Sequence, residues 1–181
     1  MISLLMLGIG LSACCGFRVF VLMLATNIAA LMGHYHFGTG FEWMGMMTAF
    51  YIFASATLLE IIAYYIPWID NLLDSIATPA AIIAGTTLTP AFISGDLSPT
   101  LKWVLGFLVG GGSAGIVQLG ITVTRLISTA TTAGFANPIL ATTENLFSII
   151  FSILSVFLPI LLAVGAVLFG MYLGKKLVSR L

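Results

Sequence analysis

Charged side chains are scarce in this chain. Six basic and six acidic residues are spread over 181 positions, so 7% of the sequence is charged and the formal net charge is zero. Soluble domains carry about 25% charged residues, and a nucleic-acid-binding surface needs a clear basic excess. The composition therefore excludes an ordinary soluble domain, and nucleic acid is not an expected partner.

Cysteine and histidine are equally rare, with two residues of each. Cys14 and Cys15 are neighbours. Consecutive residues of a helix point about 100° apart, so the pair predicts packing thiols and not a disulfide or a shared metal site. His34 and His36 lie in a polar turn that fixes no third ligand, which favours ordinary loop histidines.

The sequence also lacks the usual catalytic motifs. It contains no glycine-rich phosphate loop, no Ser/His/Asp set, no H-E-x-x-H and no C-x-x-C. We therefore expect no enzyme, no cofactor and no metal site. A membrane enzyme that acts on a lipid-soluble substrate stays an alternative, because intramembrane carboxylates can perform acid and base chemistry.

Apolar residues are abundant, at 60% of the sequence, and the mean hydropathy is +1.18. A spanning helix needs about 20 residues, so the chain predicts an all-α polytopic membrane bundle of about five to six spans. We expect a single integral membrane domain over residues 1–181. Five hydrophobic units follow one another: residues 2–32, 43–65, 79–93, 102–128 and 144–174.

The third hydrophobic unit is unusually short. At about 15 residues it is marginal for a crossing, and the amphipathic stretch Pro67–Thr78 comes directly before it. Residues 79–93 are therefore a candidate re-entrant or broken helix. Ser98 and Pro99 predict the start of the next helix, and Thr129–Thr143 predicts a connection before the fifth unit.

Basic residues at the ends of the spans predict the orientation. Lys175, Lys176 and Arg180 place the C-terminus in the cytoplasm, and Lys102 places the start of the fourth unit there too. The acidic segment at Asp70 and the connection before the fifth unit then share the outer side. These basic residues predict an integral membrane protein with its C-terminus on the cytoplasmic side.

Two arginines lie deep inside apolar stretches. Placing Arg18 or Arg125 in hydrocarbon would cost from about 2.5 kcal/mol upward, so each is expected to face protein, a carboxylate or water. On a continuous first helix, Arg18 lies on the side of Leu11 and Cys14 and nearly opposite Gly16. The first helix would therefore have protein or a cavity on two sides.

Small residues recur at helical spacing, which lets helix backbones approach closely in a membrane. They form three rows: Gly8, Ser12 and Gly16; Gly106, Gly110 and Ala114; and Ala166, Gly170 and Gly174.

Polar residues also form helical stripes. A polar face in a membrane helix must be satisfied by partners or by water, so each stripe predicts either a lined path or a hydrogen-bonded seam. The stripes are Gly111, Gln118, Thr122, Arg125 and Thr129; Thr57, Glu60 and Tyr64; and Asp70, Asp74 and Thr78.

Four acids near membrane level face the two arginines: Glu60, Asp70, Asp74 and Glu144. If each arginine pairs with one acid, two acids remain to be protonated, solvated or bound to a cation. Asp70 and Asp74, four residues apart, repel each other when both are ionised. The alternatives are an interfacial helix whose acids meet water and, for Glu144, an ordinary acid at a helix N-terminus.

Short similarities suggest an internal repeat. The string DNLL at residues 70–73 resembles ENLF at 144–147, and each follows a connection that contains proline. Repeat-built bundles with broken helices are common among small transporters. A duplication with halves 1–98 and 99–181 is therefore a further hypothesis.

Four blocks resemble a family of small bacterial integral membrane proteins catalogued only as a domain of unknown function. The blocks are GIGLSACCGFRVF at 8–20, IPWIDNLLDSIATPAA at 66–81, GGGSAG at 110–115 and AGFANPILATTEN at 133–145. The resemblance covers most of the chain and implies a protein of the bacterial inner (cytoplasmic) membrane. It implies no established activity. It implies that the family's characteristic residues include Arg18, Glu60, Asp70, Asp74, Pro79, Asn137, Pro138 and Glu144.

The leading interpretation is a small channel or transporter for an ion, either a cation or a proton, or for a small polar solute. We expect the lipid bilayer, that ion or solute and further copies of the chain as partners. Arg18 would be a structural charge lock. The alternative is a structural or assembly protein without transport activity. The predicted path residues are Arg125, Gln118, Thr122, Glu60, Asp70, Asp74, Glu144 and Asn137.

Overall fold

The computed structural model describes residues 10–34, 36–93, 97–157 and 168. These residues form helices and connections, and no strand occurs among them. The helices are α1 (10–15), α2 (Val19–Leu31), α3 (Met47–Ala63), α4 (Pro67–Phe92), α5 (Pro99–Leu105), α6 (Gly112–Thr132) and α7 (Asn137–Phe157). A 3-10 turn, Glu42–Gly45, precedes α3, and a π-helical segment, Gly106–Gly111, joins α5 to α6.

Three stretches are long and apolar enough to cross a membrane: Leu72–Phe92, Pro99–Thr132 and Asn137–Ser155. The helices α2 and α3 are apolar but shorter. Most large apolar side chains on the outer faces are exposed, as expected where lipid replaces water. The predicted all-α membrane fold is confirmed, and each of the five hydrophobic units overlaps one of these apolar helices.

The first hydrophobic unit is broken. α1 ends in tight turns, with Gly16 N–H donating to the Ala13 carbonyl and Phe17 N–H donating to the Cys14 carbonyl. Arg18 then takes an extended conformation, with φ −149° and ψ 115°, before α2 begins. The placement of Arg18 opposite Gly16 on a continuous helix is therefore wrong, because the chain leaves the helix between these two residues.

The third unit is continuous with the amphipathic stretch before it. α4 runs from Pro67 to Phe92 and contains Pro79 and Pro90 in its interior. A proline removes one backbone donor, and membrane helices tolerate this loss where neighbouring groups satisfy the freed carbonyl. The break predicted at residues 79–93 is therefore misplaced; the structure puts it at residues 16–18.

Glycines allow close helix contacts at two places: α4 packs against the π-helical segment, and the turn after α1 packs against α6. A Cβ on Gly85 would collide with the Gly110 backbone, and one on Gly16 would collide with Ala114 and Val117. Gly16 of the first predicted small-residue row and the whole second row, Gly106, Gly110 and Ala114, therefore lie at helix contacts, while Gly8 falls outside the described residues. The third row, at residues 166–174, falls outside the described residues.

The connection between α6 and α7 is shorter than predicted. α6 continues to Thr132, and the chain reverses through Ala133 and Gly134, which have φ of 51° and 86°. α7 then begins at Asn137, two turns before the predicted start at Glu144. The predicted Ser98 cap is confirmed at the start of α5, where the Ser98 hydroxyl accepts a 3.3 Å hydrogen bond from Leu101 N–H.

Candidate functional site

Arg125 and Glu144 form the centre of a buried charged cluster. Arg125 Nε donates to Glu144 Oε1 at 3.0 Å, and Nη2 donates to Oε2 at 2.6 Å. This two-point geometry matches the planar guanidinium to the planar carboxylate. The pair joins α6 to α7 about two turns from their connection, where the polar stripe of α6 faces the bundle interior.

Two further acids approach the same guanidinium from α4. Asp70 Oδ1 accepts a hydrogen bond from Arg125 Nη1, and Asp70 is fully buried. Asp74 Oδ2 lies 3.7 Å from the same nitrogen, an ion-pair distance too long for a hydrogen bond. The other carboxylate oxygen of Asp74 is buried and has no partner among the described residues. Asp74 is therefore the least satisfied acid of the cluster.

Arg18 reaches the cluster from the break between α1 and α2. Its Nε donates to Asn145 Oδ1 at 2.7 Å, and its Nη2 donates to Glu144 Oε2 at 3.2 Å. Glu144 therefore bridges the two arginines. Because the chain is extended at Arg18, the side chain can leave the α1 surface and point at α7.

The ring of Tyr64 contacts both guanidinium groups. Its centroid lies 3.5 Å from Arg18 Cζ and 4.6 Å from Arg125 Cζ. Aromatic faces attract cations, and the attraction is stronger where water is excluded. Tyr64, at the end of α3, thus holds together two like charges that would otherwise repel each other.

Asn137 extends the cluster towards the α6–α7 connection. Its amide nitrogen donates to Asp70 Oδ2 at 3.4 Å and to Thr129 Oγ1 at 3.2 Å, while its carbonyl accepts from Ser128 at 2.9 Å. The beginnings of α4 and α7 therefore lie at one end of the bundle. This confirms that the acidic segment at Asp70 and the connection before the fifth unit share a side.

Glu60 lies beside the cluster but contacts backbone. Its two carboxylate oxygens accept hydrogen bonds from Val19 N–H and Phe20 N–H, each at 3.1 Å. These amides are the first free donors of α2, which lacks a side-chain cap of its own. The structure therefore places Glu60 as a cap supplied by another helix.

The polar stripe of α6 faces inward from Gly111 to Arg125, and its last residue, Thr129, is exposed. Gln118 and Arg125 are buried, and Thr122 between them has a buried hydroxyl with no partner among the described residues. Thr129, near the end of the stripe, accepts the bond from Asn137. The stripe therefore leads from the connection through the cluster and on toward the π-helical segment.

A cavity of about 260 Å³ reaches the cluster from the α6–α7 connection. Tyr65 and Phe135 lie at its exposed rim, while Asp70 and Asn137 are buried in its wall. Because Asp70 also binds Arg125, the cavity leads from the protein surface to the charged cluster.

The charges in the cluster do not cancel. Arg18 and Arg125 face Asp70, Asp74 and Glu144, so the formal charge is minus one when all of these groups are ionised. Ionised groups held at membrane depth need compensation. The cluster therefore can accept one further positive charge.

Sequence reasoning named the charged residues of the cluster but not all of their partners. The sequence places Asn145 in a repeat motif and in the family-resemblance block at 133–145, and Tyr64 in a stripe with Thr57 and Glu60, but assigns neither a contact with an arginine. The signal for Asn145 was its place beside Glu144 on the inner face of α7. No sequence signal links Tyr64 to both arginines, because the link depends on where α3 ends against the α1–α2 break.

The fold and the cluster define an all-helical membrane protein built around buried arginine–carboxylate pairs. The chain belongs to the family described as a domain of unknown function, DUF4126, whose match covers residues 5–176. The resemblance seen in the sequence is thereby confirmed at the level of the family. No curated protein and no solved structure matches the chain.

Proposed function

We propose that the protein is a small membrane channel or transporter for an ion, a cation or a proton, or for a small polar solute. The observation that carries the proposal is the excess carboxylate at Arg125. Three acids surround this guanidinium, and one of them, Asp74, keeps a buried oxygen without a partner among the described residues. A cluster built only to hold helices together needs no such surplus.

The cavity beside Asp70 supports this proposal. Transport requires a polar site that is reached from one side of the membrane, and the cavity provides an approach of this kind at the α6–α7 end. In the predicted orientation this end lies outside the cell. The positive charge accepted by the cluster would then enter past Tyr65 and Asn137.

A structural role is the second candidate, and the pairing of Arg18 favours it. Arg18 is 2% exposed and is bound by Asn145 and Glu144. This matches the predicted charge lock, because removing either partner would leave a buried guanidinium less satisfied. A purely structural protein would keep this lock but would carry no flux.

Flux through reconstituted vesicles tests the proposal. The purified chain is placed in vesicles, and uptake of protons, alkali cations and small polar solutes is compared with empty vesicles. The Asp74→Asn variant should remove the flux while the protein keeps its elution volume and helical content. Asp74→Asn changes one atom and keeps the side-chain volume, so loss of flux would report on the charge.

The matched control is Glu42→Gln, which makes the same acid-to-amide change outside the cluster. Glu42 lies before α3 and accepts a hydrogen bond from Gly40 N–H at an exposed position. Its variant should retain the wild-type flux. Wild-type vesicles that carry none of the tested species would overturn the transport proposal and leave the structural role.

A further inference from the structure

Three buried hydroxyls on α6 and α7 lack a hydrogen-bond partner among the described residues. They belong to Thr122, Ser148 and Ser152. Ser148 and Ser152 are at most 1% exposed. Each lies about one helical turn from a charged residue or from the previous hydroxyl: Thr122 is three residues before Arg125, Ser148 is four residues after Glu144, and Ser152 is four residues after Ser148.

Most other hydroxyls on α6 and α7 have a hydrogen-bond partner among the described residues, although Thr57 and Thr86 on other helices also lack one. Ser155, Thr124 and Thr143 each donate to a carbonyl three or four residues earlier in their own helix. Ser148 and Ser152 could make the same bond, yet their oxygens are unpartnered. A buried polar group without a protein partner is commonly satisfied by an ordered water. The three hydroxyls are therefore candidate positions for bound water.

The register of the α6–α7 pair places these hydroxyls on matching levels. Ser128 bonds Asn137, and Arg125 bonds Glu144, so the two helices run antiparallel with these residues opposite each other. The next inward turn brings Thr122 to the level of Ser148. One turn further brings Gln118, which is buried, to the level of Ser152.

The α1–α2 break contacts both α6 and α7 at this level. Gly16 packs against Val117 of α6, and the Phe17 ring lies 5.5 Å from the Phe151 ring of α7. α6 and α7 are thus held apart beyond the charged cluster. This separation explains why hydroxyls at the same level do not bond each other.

The distance between successive hydroxyls along α7 suits a single-file chain of water molecules, called here a water file. Four residues of a helix rise about 6 Å, and one water bridging two hydroxyls spans two hydrogen bonds of about 2.8 Å. One water between Ser148 and Ser152, and one between Glu144 and Ser148, would therefore make a continuous chain. Thr122 and Gln118 would line the same chain from the other helix.

We infer that the row formed by Thr122, Ser148 and Ser152 carries a water file from the charged cluster into the bundle, and that the ion moved is a proton. This inference rests on the proposed transport function and names its substrate. A metal cation needs many oxygen ligands at one level, whereas each level here offers two side chains. A proton needs only one hydrogen-bonded neighbour at each step.

Proton flux into vesicles with a trapped pH-sensitive dye tests the inference. A potassium gradient with valinomycin sets the voltage, and the internal pH is followed. The double variant Ser148→Ala/Ser152→Ala should slow proton flux by about tenfold or more, the size of change expected when a hydrogen-bonded site is lost from a path. Ser155→Ala is the control, because Ser155 is a buried serine of α7 whose hydroxyl already donates to the Ser152 carbonyl. The Ser155→Ala protein should conduct protons as wild type does.

The outcomes separate this inference from the transport proposal. Wild-type flux of potassium, sodium or a solute without proton flux would overturn the proton inference and leave transport in place. Proton flux unchanged in the double variant would overturn the water file. No flux of any kind would overturn transport itself. If the alanine variant fails to fold, the Ser148→Cys/Ser152→Cys protein should show the same slowing of proton flux. Cysteine fills the space of the serine side chain, but its thiol is a weak hydrogen-bond donor and acceptor.

Discussion

Glu60 caps a helix that begins 41 residues before it, since its carboxylate accepts a 3.1 Å hydrogen bond from Val19 N–H. The second oxygen accepts from Phe20 N–H. The break that frees these donors is the same break that turns Arg18 towards Glu144. One acid of α3 therefore stabilises the interruption on which the charged cluster depends.

Replacing Glu60 should destabilise the protein through this cap. Glu60→Ala leaves two N–H groups of α2 without an acceptor, so we expect a loss of about 1–3 kcal/mol for each group that stays buried. Glu60→Gln keeps one acceptor oxygen and should fall between alanine and wild type. Thermal unfolding in detergent, followed by circular dichroism, measures both effects.

Glu42→Ala is the control for this prediction, because its hydrogen bond to Gly40 N–H is exposed. It should shift the melting temperature little. Equal melting temperatures for Glu60→Ala and wild type would show that α2 does not depend on the cap.

The contrast between Arg18 and Arg125 shows what the sequence can and cannot predict. Both arginines are correctly predicted to be buried and to meet acids, because hydrocarbon tolerates no unpaired charge. The inward face of α6 follows from helical spacing alone. Sequence reasoning missed the break at residues 16–18, because no proline marks it and the acceptor that stabilises it lies on α3.

The same limit explains the misplaced break in the third unit. The short apolar run at residues 79–93 suggests an interruption when it is considered alone, yet α4 runs without a break from Pro67 to Phe92, with Pro79 in its interior. Likewise, Asn137 and Pro138 read as part of a connection, although they form the first turn of α7. Short-range signals predict where a helix can end, and tertiary contacts decide whether it does.

The contact between Gly85 and Gly110 should tolerate no side chain. A Cβ on Gly85 would strike the backbone of the π-helical segment, which cannot move as a flexible side chain would. We expect Gly85→Ala to lower the melting temperature clearly, at a cost of about 1–3 kcal/mol.

Gly120→Ala is the matched control on α6. Nothing lies within 4 Å of a Cβ at that position, and alanine favours a helix over glycine by about 1 kcal/mol. This variant should be as stable as wild type or more stable. A stable Gly85→Ala protein would contradict the close approach of α4.

Removing Arg125 should destabilise the protein more than removing any single acid. Arg125→Gln leaves the carboxylates of Asp70, Asp74 and Glu144 together without their central cation, and breaking a buried ion pair in this way costs about 3–5 kcal/mol. Adding Asp70→Asn removes one unpaired charge, so the double variant should recover part of the loss. Thermal unfolding of the single and double variants measures this coupling.

Lys102→Gln serves as the control for Arg125→Gln, because it removes a positive charge near the start of α5 and away from the cluster. It should leave the melting temperature almost unchanged. Additive losses in the Arg125→Gln/Asp70→Asn protein would contradict the charge network, because two residues in one network should compensate each other.

Tyr64 should act through its ring and not through its hydroxyl. Tyr64→Phe keeps an aromatic face against Arg18 and Arg125 and should stay close to wild type in stability. Tyr64→Leu keeps apolar volume but removes the π system, so we expect a loss of about 1–2 kcal/mol for the desolvated pair. Unfolding in detergent compares the two variants directly. If Phe and Leu destabilise the protein equally, the phenol oxygen and not the ring holds the guanidinium groups together.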